Sequence, residues 1–218
     1  MTTKPAMQQA APTEIAMKLV EIGREFYSRG WVLGTSGNFS AVVSRAPLVL
    51  AMSQSGADKG KLEAEQILLI DEHATVVSGH PSKPSAESPL HVRLAKEFGA
   101  QAVLHTHSVW STTLSDVHAE RGGVTIEGYE MLKGLSGVET HEHREWLPII
   151  ENSQNMNVLA ETVSRILHKS PGAHGFLLRR HGLYTWGNDL EEAKRHVEIL
   201  EFLLEAIGRS ALMSQRKN

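Results

Sequence analysis

The apolar run AQAVL passes directly into His-Thr-His at positions 105–107, and this junction constrains the fold more than any other stretch of the 218 residues. A short apolar run followed by H-x-H reads as a buried strand that runs out to the edge of a sheet. Alternate residues of a strand point to the same face, so His105 and His107 are expected to project side by side, about 7 Å apart along the chain. A third histidine, His181, opens the His-Gly of FLLRRHGLYTW at another expected strand end. Three imidazoles supply three neutral nitrogen ligands and leave a coordination position open, as catalytic rather than structural zinc sites do.

The chain has no cysteine. Disulfides and thiolate ligands are therefore excluded, and metal ligands are confined to histidine and carboxylate. A hydrophobic fraction of 41% and a charged fraction of 22% are ordinary for a globular protein of one, slightly enlarged, domain. A net charge of −3 offers no basic footprint for a nucleic-acid or membrane-surface partner. No apolar run approaches the roughly 18 residues of a membrane span. The leading MTTKPAMQQAAPTE lacks a signal-peptide core, so a cytoplasmic location is expected, with residues 1–12 disordered and 13–218 forming a single domain.

Helical and strand periods alternate along the chain. Ile15, Leu19, Ile22 and Phe26 have helical spacing over 14–29, with Thr13 as the expected cap and Gly30 as the stop. SAVV and PLVLAM read as paired strands, and ILLID as another. SAESPLHVRLAKEFG reads as a helix capped by Ser85, and SVWSTTLSDV starts a further one. PGAHGFLLRRHG and LYTWG read as strand, sharp turn and strand. The long stretch from Asp189 reads as an amphipathic helix with Asp189 as cap and Glu191 and Glu192 in its first turn. The pattern is α/β, helices and strands packed in layers, with the strand order undetermined.

Two loops are rich in glycine and hydroxyls. In GTSGNFS, Gly34 and Gly37 permit positive φ, and successive amides in such a turn form an anion-cradling nest, with Ser36 and Asn38 adding donors. SQSG repeats this chemistry with Ser53, Ser55 and Gly56, and Ser85 adds a hydroxyl. Either loop alone is better explained as a plain turn.

The order GTSGNFS, SQSG, KPSAES, HTHS, RRHGLYTWG and a long final helix resembles the class II aldolase/adducin superfamily, from about Leu19 to Leu212. Within it, YEMLKG followed by LPIIEN resembles the dehydratase branch more closely than the sugar-phosphate aldolases. The resemblance implies a three-layer fold with a central, mostly antiparallel sheet flanked by helices. It also implies one zinc ion per subunit on His105, His107 and His181, and a homotetramer acting on a small sugar phosphate. The activity implied is removal of water from methylthioribulose 1-phosphate in methionine salvage. Phosphate contacts carry over to Gly37, Asn38, Ser55, Gly56 and Ser85. Ala86 stands where the aldolase pattern often has a second serine, and Lys59 is the nearest cation to replace it, unless it is an exposed loop lysine.

Two glutamates compete for acid/base work. Glu87, in KPSAES, occupies the position of the aldolase base, and Glu130, in YEMLKG, that of the dehydratases. A carboxylate beside a divalent cation stays ionised and can take a proton from a carbon next to a carbonyl. Glu87 also suits a helix start, whereas nothing structural demands a glutamate at 130, which favours Glu130 as the base. The same metal and phosphate sites would serve an aldolase or epimerase. A non-catalytic adducin-like module should have lost its metal ligands, yet all three histidines are present. His118, His141, His143 and His168 read as surface residues, and H-E-H at 141–143 has ligand spacing without an apolar strand before it. His91, one turn after Glu87, is placed to face the same cleft, and Arg179 and Arg180 either orient an anion or alternate across a strand end.

Overall fold

The computed structural model describes residues 12–77 and 82–215. The segment 1–12 expected to be disordered lies outside the described residues except for Pro12, which precedes the first helix. Helix α1 (Thr13–Ser28) buries Ala16, Leu19, Val20, Ile22 and Phe26. Its N-cap is Pro12 and not Thr13, and no side chain caps it. The proline ring fixes φ for helix entry, so Thr13 is already helical. Gly30 follows with φ +75°, which a residue with a Cβ adopts reluctantly.

Strands β1 (Asn38–Arg45) and β2 (Leu48–Ser53) form an antiparallel hairpin, and β3 (Ile67–Asp71) pairs on β2. Helix α2 (Ser88–Glu97) starts two residues later than the sequence predicts, with Glu87 and not Ser85 at its N-cap. Pro89, in the first turn, has no N–H to bond back to Ser85. Ser85 instead closes a turn, its hydroxyl accepting from the Glu87 amide at 3.2 Å. Then come β4 (Ala102–Thr106), α3 (Val109–Val117), β5 (Gly123–Ile126) and a 3-10 turn over Glu130–Gly134. They are followed by β6 (Glu145–Ile150), α4 (Met156–Leu167), β7 (Gly175–Leu178), β8 (Gly182–Gly187) and α5 (Leu190–Gln215). Asp189 caps α5 as expected, accepting from the Glu192 amide at 2.7 Å.

The eight strands form one sheet in the order β3-β2-β1-β4-β8-β7-β6-β5. Every pairing is antiparallel except β6 with β7. One face packs on α1, α3 and α5, through Phe26, Leu104 and Val197 at one end and Leu114, Leu177 and Leu203 at the other. The opposite face packs on α2 and α4, through Leu90, Val103, Val163 and Phe176. Three layers result, α/β/α, with the sheet nearly antiparallel. No helix among the described residues is long and apolar enough to cross a membrane.

Register gives the sheet two distinct ends. Thr106 pairs with Leu183, Leu183 with Leu177, and Leu177 with Ile149, while Pro148 pairs with Gly123. The ends of β4, β6 and β7 and the start of β8 therefore share one rim. Ile126, opposite Glu145, lies at the other, so the chain reaches Glu130 on the far rim.

Candidate active site

Histidine 105 faces its partners because β4 is buried along its whole length and pairs with β1 on one side and β8 on the other. The strand stops at Thr106, one residue earlier than the sequence implies, and the His107 amide turns to donate to the Trp31 carbonyl at 2.7 Å. His181 sits in the turn between β7 and β8, after Arg180 at φ +56°. The turn can approach β4 only because residue 182 is glycine: a Cβ there would lie 1.9 Å from the Thr106 carbonyl oxygen.

The three rings converge, with centroids 4.5 Å apart for His105–His107 and His107–His181, and 5.0 Å for His105–His181. Glu87 joins them, its Oε2 3.7 Å from His105 Nε2 and its Oε1 3.3 Å from His181 Nε2. Ligand atoms of all four residues lie within 4.8 Å of one another. His105 Nδ1 donates to the Leu183 carbonyl at 2.9 Å, which leaves the Nε2 lone pair facing His181 Nε2 at 3.3 Å. A backbone acceptor on the outer nitrogen is how proteins orient metal-binding imidazoles. Burial, reinforced by the neighbouring histidines, holds His105 well below its ordinary pKa. Burial also lowers His107 to about 4, with His181 and Lys59 adding to the effect. Both rings are neutral at physiological pH. In the cluster, buried Glu87 Oε1 and His181 Nδ1 have no hydrogen-bond partner among the described residues. Converging neutral imidazoles, an adjacent carboxylate and its unsatisfied Oε1 fit a divalent cation.

Beside this cluster is a pocket of about 140 Å³ lined by Gly37, Asn38, Ser55, Gly56, Ser85, Glu87 and His107, among others. All five residues mapped as phosphate contacts line it. Gly37 and Gly56 have φ +71° and +74°, as the nest reading requires. The Asn38 amide is already engaged, its Nδ2 donating to Glu87 Oε2 at 2.6 Å and to Ser85 Oγ at 3.3 Å. Behind it, His91 is fully buried and bonds Asn38 Oδ1 through Nε2, while Nδ1 meets Ser40 Oγ at 2.7 Å. His91 thus reaches the cleft only through Asn38. Burial takes its pKa to about 3, so this chain of contacts works with a neutral ring.

Lysine 59 is not an exposed loop residue: it is 1% exposed, and its ammonium donates to the Ala57 carbonyl at 2.8 Å, with the Thr35 carbonyl at 3.5 Å. Burial lowers its pKa to about 8. It stands behind the pocket wall that Thr35 forms. Arg179 and Arg180 are taken up by Asp116, at 2.9 Å each, and Arg179 also by Glu151.

Glu130 is not brought to the histidines within one chain. Its side chain is 71% exposed on the far rim, paired with Lys133 at 2.7 Å and 3.6 Å from His141. Lys133 holds its carboxyl below the usual range. Nothing in the sequence pattern singles out Tyr184. Its ring stacks on His105 and, on its other side, on Phe176. The only advance signal was its place in the LYTW alternation.

Comparison with known proteins agrees with this geometry. A curated protein of Sorangium cellulosum named methylthioribulose-1-phosphate dehydratase is 40% identical over 199 residues, 90% of this chain and 92% of its own. One of the same name from Xylella fastidiosa is 43% identical over 192 residues, 88% of this chain and 86% of its own. Among solved structures, an L-fuculose 1-phosphate aldolase superposes with a TM-score of 0.77 at 19% identity, covering 94% of this chain and 89% of its own. Residues 17–207 match the family described as Class II Aldolase and Adducin N-terminal domain, and the chain belongs to that family.

Proposed function

We propose that this protein is a metal-dependent dehydratase that converts 5-methylthioribulose 1-phosphate to 2,3-diketo-5-methylthiopentyl 1-phosphate in methionine salvage. The carrying observation is identity of 40–43% across nearly the whole chain to relatives bearing that activity in their names. The convergent histidines and the adjoining glycine-serine pocket support it. A non-catalytic module has no use for a buried cluster of neutral imidazoles.

In this reading His105, His107 and His181 hold one zinc ion, which when bound supplies Lewis-acid polarisation of a substrate carbonyl. The amides of Gly37 and Gly56 and the hydroxyls of Ser55 and Ser85 take the phosphate. Asn38, held by His91, fixes the Glu87 carboxylate at the cluster. Lys59 adds positive charge behind the phosphate pocket without touching the ligand. Glu130 acts as the base: it removes the C3 proton, returns it to the departing C4 hydroxyl, and the resulting enol tautomerises to the diketone.

Because Glu130 lies on the far rim, it serves the cluster of a neighbouring copy in a cytoplasmic homotetramer. An aldolase or epimerase is the second reading, favoured by Glu87, which occupies the aldolase-base position and touches the histidines in one chain. The two separate by product mass. The dehydratase releases a single product lighter by one water, with deuterium from the solvent on the carbon that lost its hydroxyl. A two- or three-carbon fragment with no dehydrated product would overturn the assignment.

A further inference from the structure

The far rim carries a second convergence of ligand-type side chains, formed by His143, Glu145 and His174. Glu145 opens β6, and His174 immediately precedes β7. These two strands form the sheet's parallel pair, so their starts lie side by side. His143 reaches back from the loop before β6. Glu145 is 1% exposed, an unusual setting for a carboxylate without compensating charge. His143 Nε2 and His174 Nδ1 both lie 2.9 Å from the same oxygen, Glu145 Oε2. The other oxygen, Oε1, accepts from the His174 amide at 3.0 Å.

Hydrogen-bond roles restrict what occupies this triangle. His174 Nε2 faces the Ser136 carbonyl at 2.8 Å, an acceptor only, so that nitrogen carries the proton. A neutral imidazole then presents a bare lone pair at Nδ1, aimed at a carboxylate oxygen. Positive charge is needed between them. A second proton on His174, with neutral His143 donating from Nε2, is one way to fill the triangle; a divalent cation held by both nitrogens and Oε2 is the other. The surroundings match those of metal ligands: a carbonyl holds the outer nitrogen of His174 and an amide holds the outer oxygen of Glu145. His143 is 33% exposed along its side chain, which leaves an entry path and an open position.

We infer that His143, Glu145 and His174 form a second divalent-metal site, a two-histidine, one-carboxylate set suited to zinc, at the sheet rim opposite the first cluster. His141, although spaced as a partner of His143 in the sequence, is not part of it and turns to Glu130.

The test counts zinc in the intact, assembled protein after equilibration with zinc chloride and desalting, by native mass spectrometry. Wild type is expected to hold two ions per chain. His143→Ala, which alters a partly exposed side chain, should hold one, His107→Ala one, and the double variant none. His141→Ala should keep two. If wild type holds a single ion that His143→Ala does not remove, the triangle is a protonated imidazolium–carboxylate latch and the site is overturned. Two ions retained in His143→Ala, or one lost in His141→Ala, overturn it equally, because the second ion then sits elsewhere. Loss of the ion removed by His107→Ala bears on the first cluster alone, so the two assignments fail separately.

Discussion

The Tyr184 ring lies flat on His105, with centroids 3.9 Å apart and planes within 12°. Phe176 continues the stack on the other side at 4.9 Å and 2°. His105 is thereby fixed in tilt by a stack and in rotation by its bond to the Leu183 carbonyl. Tyr184→Phe keeps the ring and should keep the bound metal. Tyr184→Ala leaves a cavity beneath a ligand and should cost about 3–5 kcal/mol of stability, with weakened metal retention. Denaturant unfolding and metal analysis of the two variants check this, and equal metal retention would remove Tyr184 from any positioning role.

Gly182 meets β4 where the two halves of the cluster join. Its backbone is not in the left-handed region, so the demand for glycine is one of space. Gly182→Ala would drive a methyl into the Thr106 carbonyl and push His181 away from His105 and His107. Metal content well below one ion per chain at the first cluster is expected even where the circular dichroism spectrum stays native. His107→Ala, which leaves two imidazoles and Glu87, should lose most of that ion by a different route, with β8 undisturbed.

Beneath the cluster, the Thr106 hydroxyl donates to Glu201 Oε1 at 2.6 Å, and Oε2 is buried without a hydrogen-bond partner among the described residues. Burial pushes this carboxyl up to about 7, against the opposing bonds from Ser108 and Thr106. The folded protein therefore holds a proton that the unfolded chain releases above its ordinary value of 4.5. Between those two values the unfolded state binds fewer protons, so stability falls as pH rises, by about 3 kcal/mol over the interval. Glu201→Gln should flatten this slope and be more stable than wild type at pH 8. Urea melts at pH 5 and pH 8 measure it, and an unchanged slope in Glu201→Gln would show that the proton sits on another group.

What the sequence makes legible depends on how local each signal is. An apolar strand ending in H-x-H and a His-Gly turn carry their own geometry, and His105, His107 and His181 do meet. The glycines at 34, 37 and 56 are legible for the same reason: φ is a property of one residue. Periodicity left strand direction open, and the nearly antiparallel sheet was expected from family resemblance alone. Lys59 misleads because its burial comes from the turn over residues 59–61 packing on α1, where Gly60 leaves no room for a Cβ against Tyr27. His174 and Glu145 are 29 residues apart and meet only through the one parallel pairing, which no short pattern announces. The separation of Glu130 from Glu87 likewise emerges only when the register is followed across five neighbouring strands.

That separation makes a prediction about assembly. Glu130→Gln keeps the side chain's shape and loses the base, so turnover should fall by about 10²–10⁴-fold while metal binding at His105, His107 and His181 persists. His107→Ala should be equally inactive for lack of metal. If Glu130 acts on the cluster of a neighbouring copy, the two defects reside in different halves of one composite site. Mixing the two inactive variants under conditions that exchange subunits should then restore activity, because some sites receive an intact Glu130 from one chain and intact histidines from the other. A site complete within a single chain gives no recovery at any mixing ratio. Glu87→Gln mixed with His107→Ala should give none either, since both residues belong to the same chain's cluster. Recovery in the first mixture and not in the second assigns the base to Glu130 across an interface; recovery in neither, with Glu130→Gln retaining turnover and Glu87→Gln losing it, would return the role to Glu87 and favour the aldolase reading.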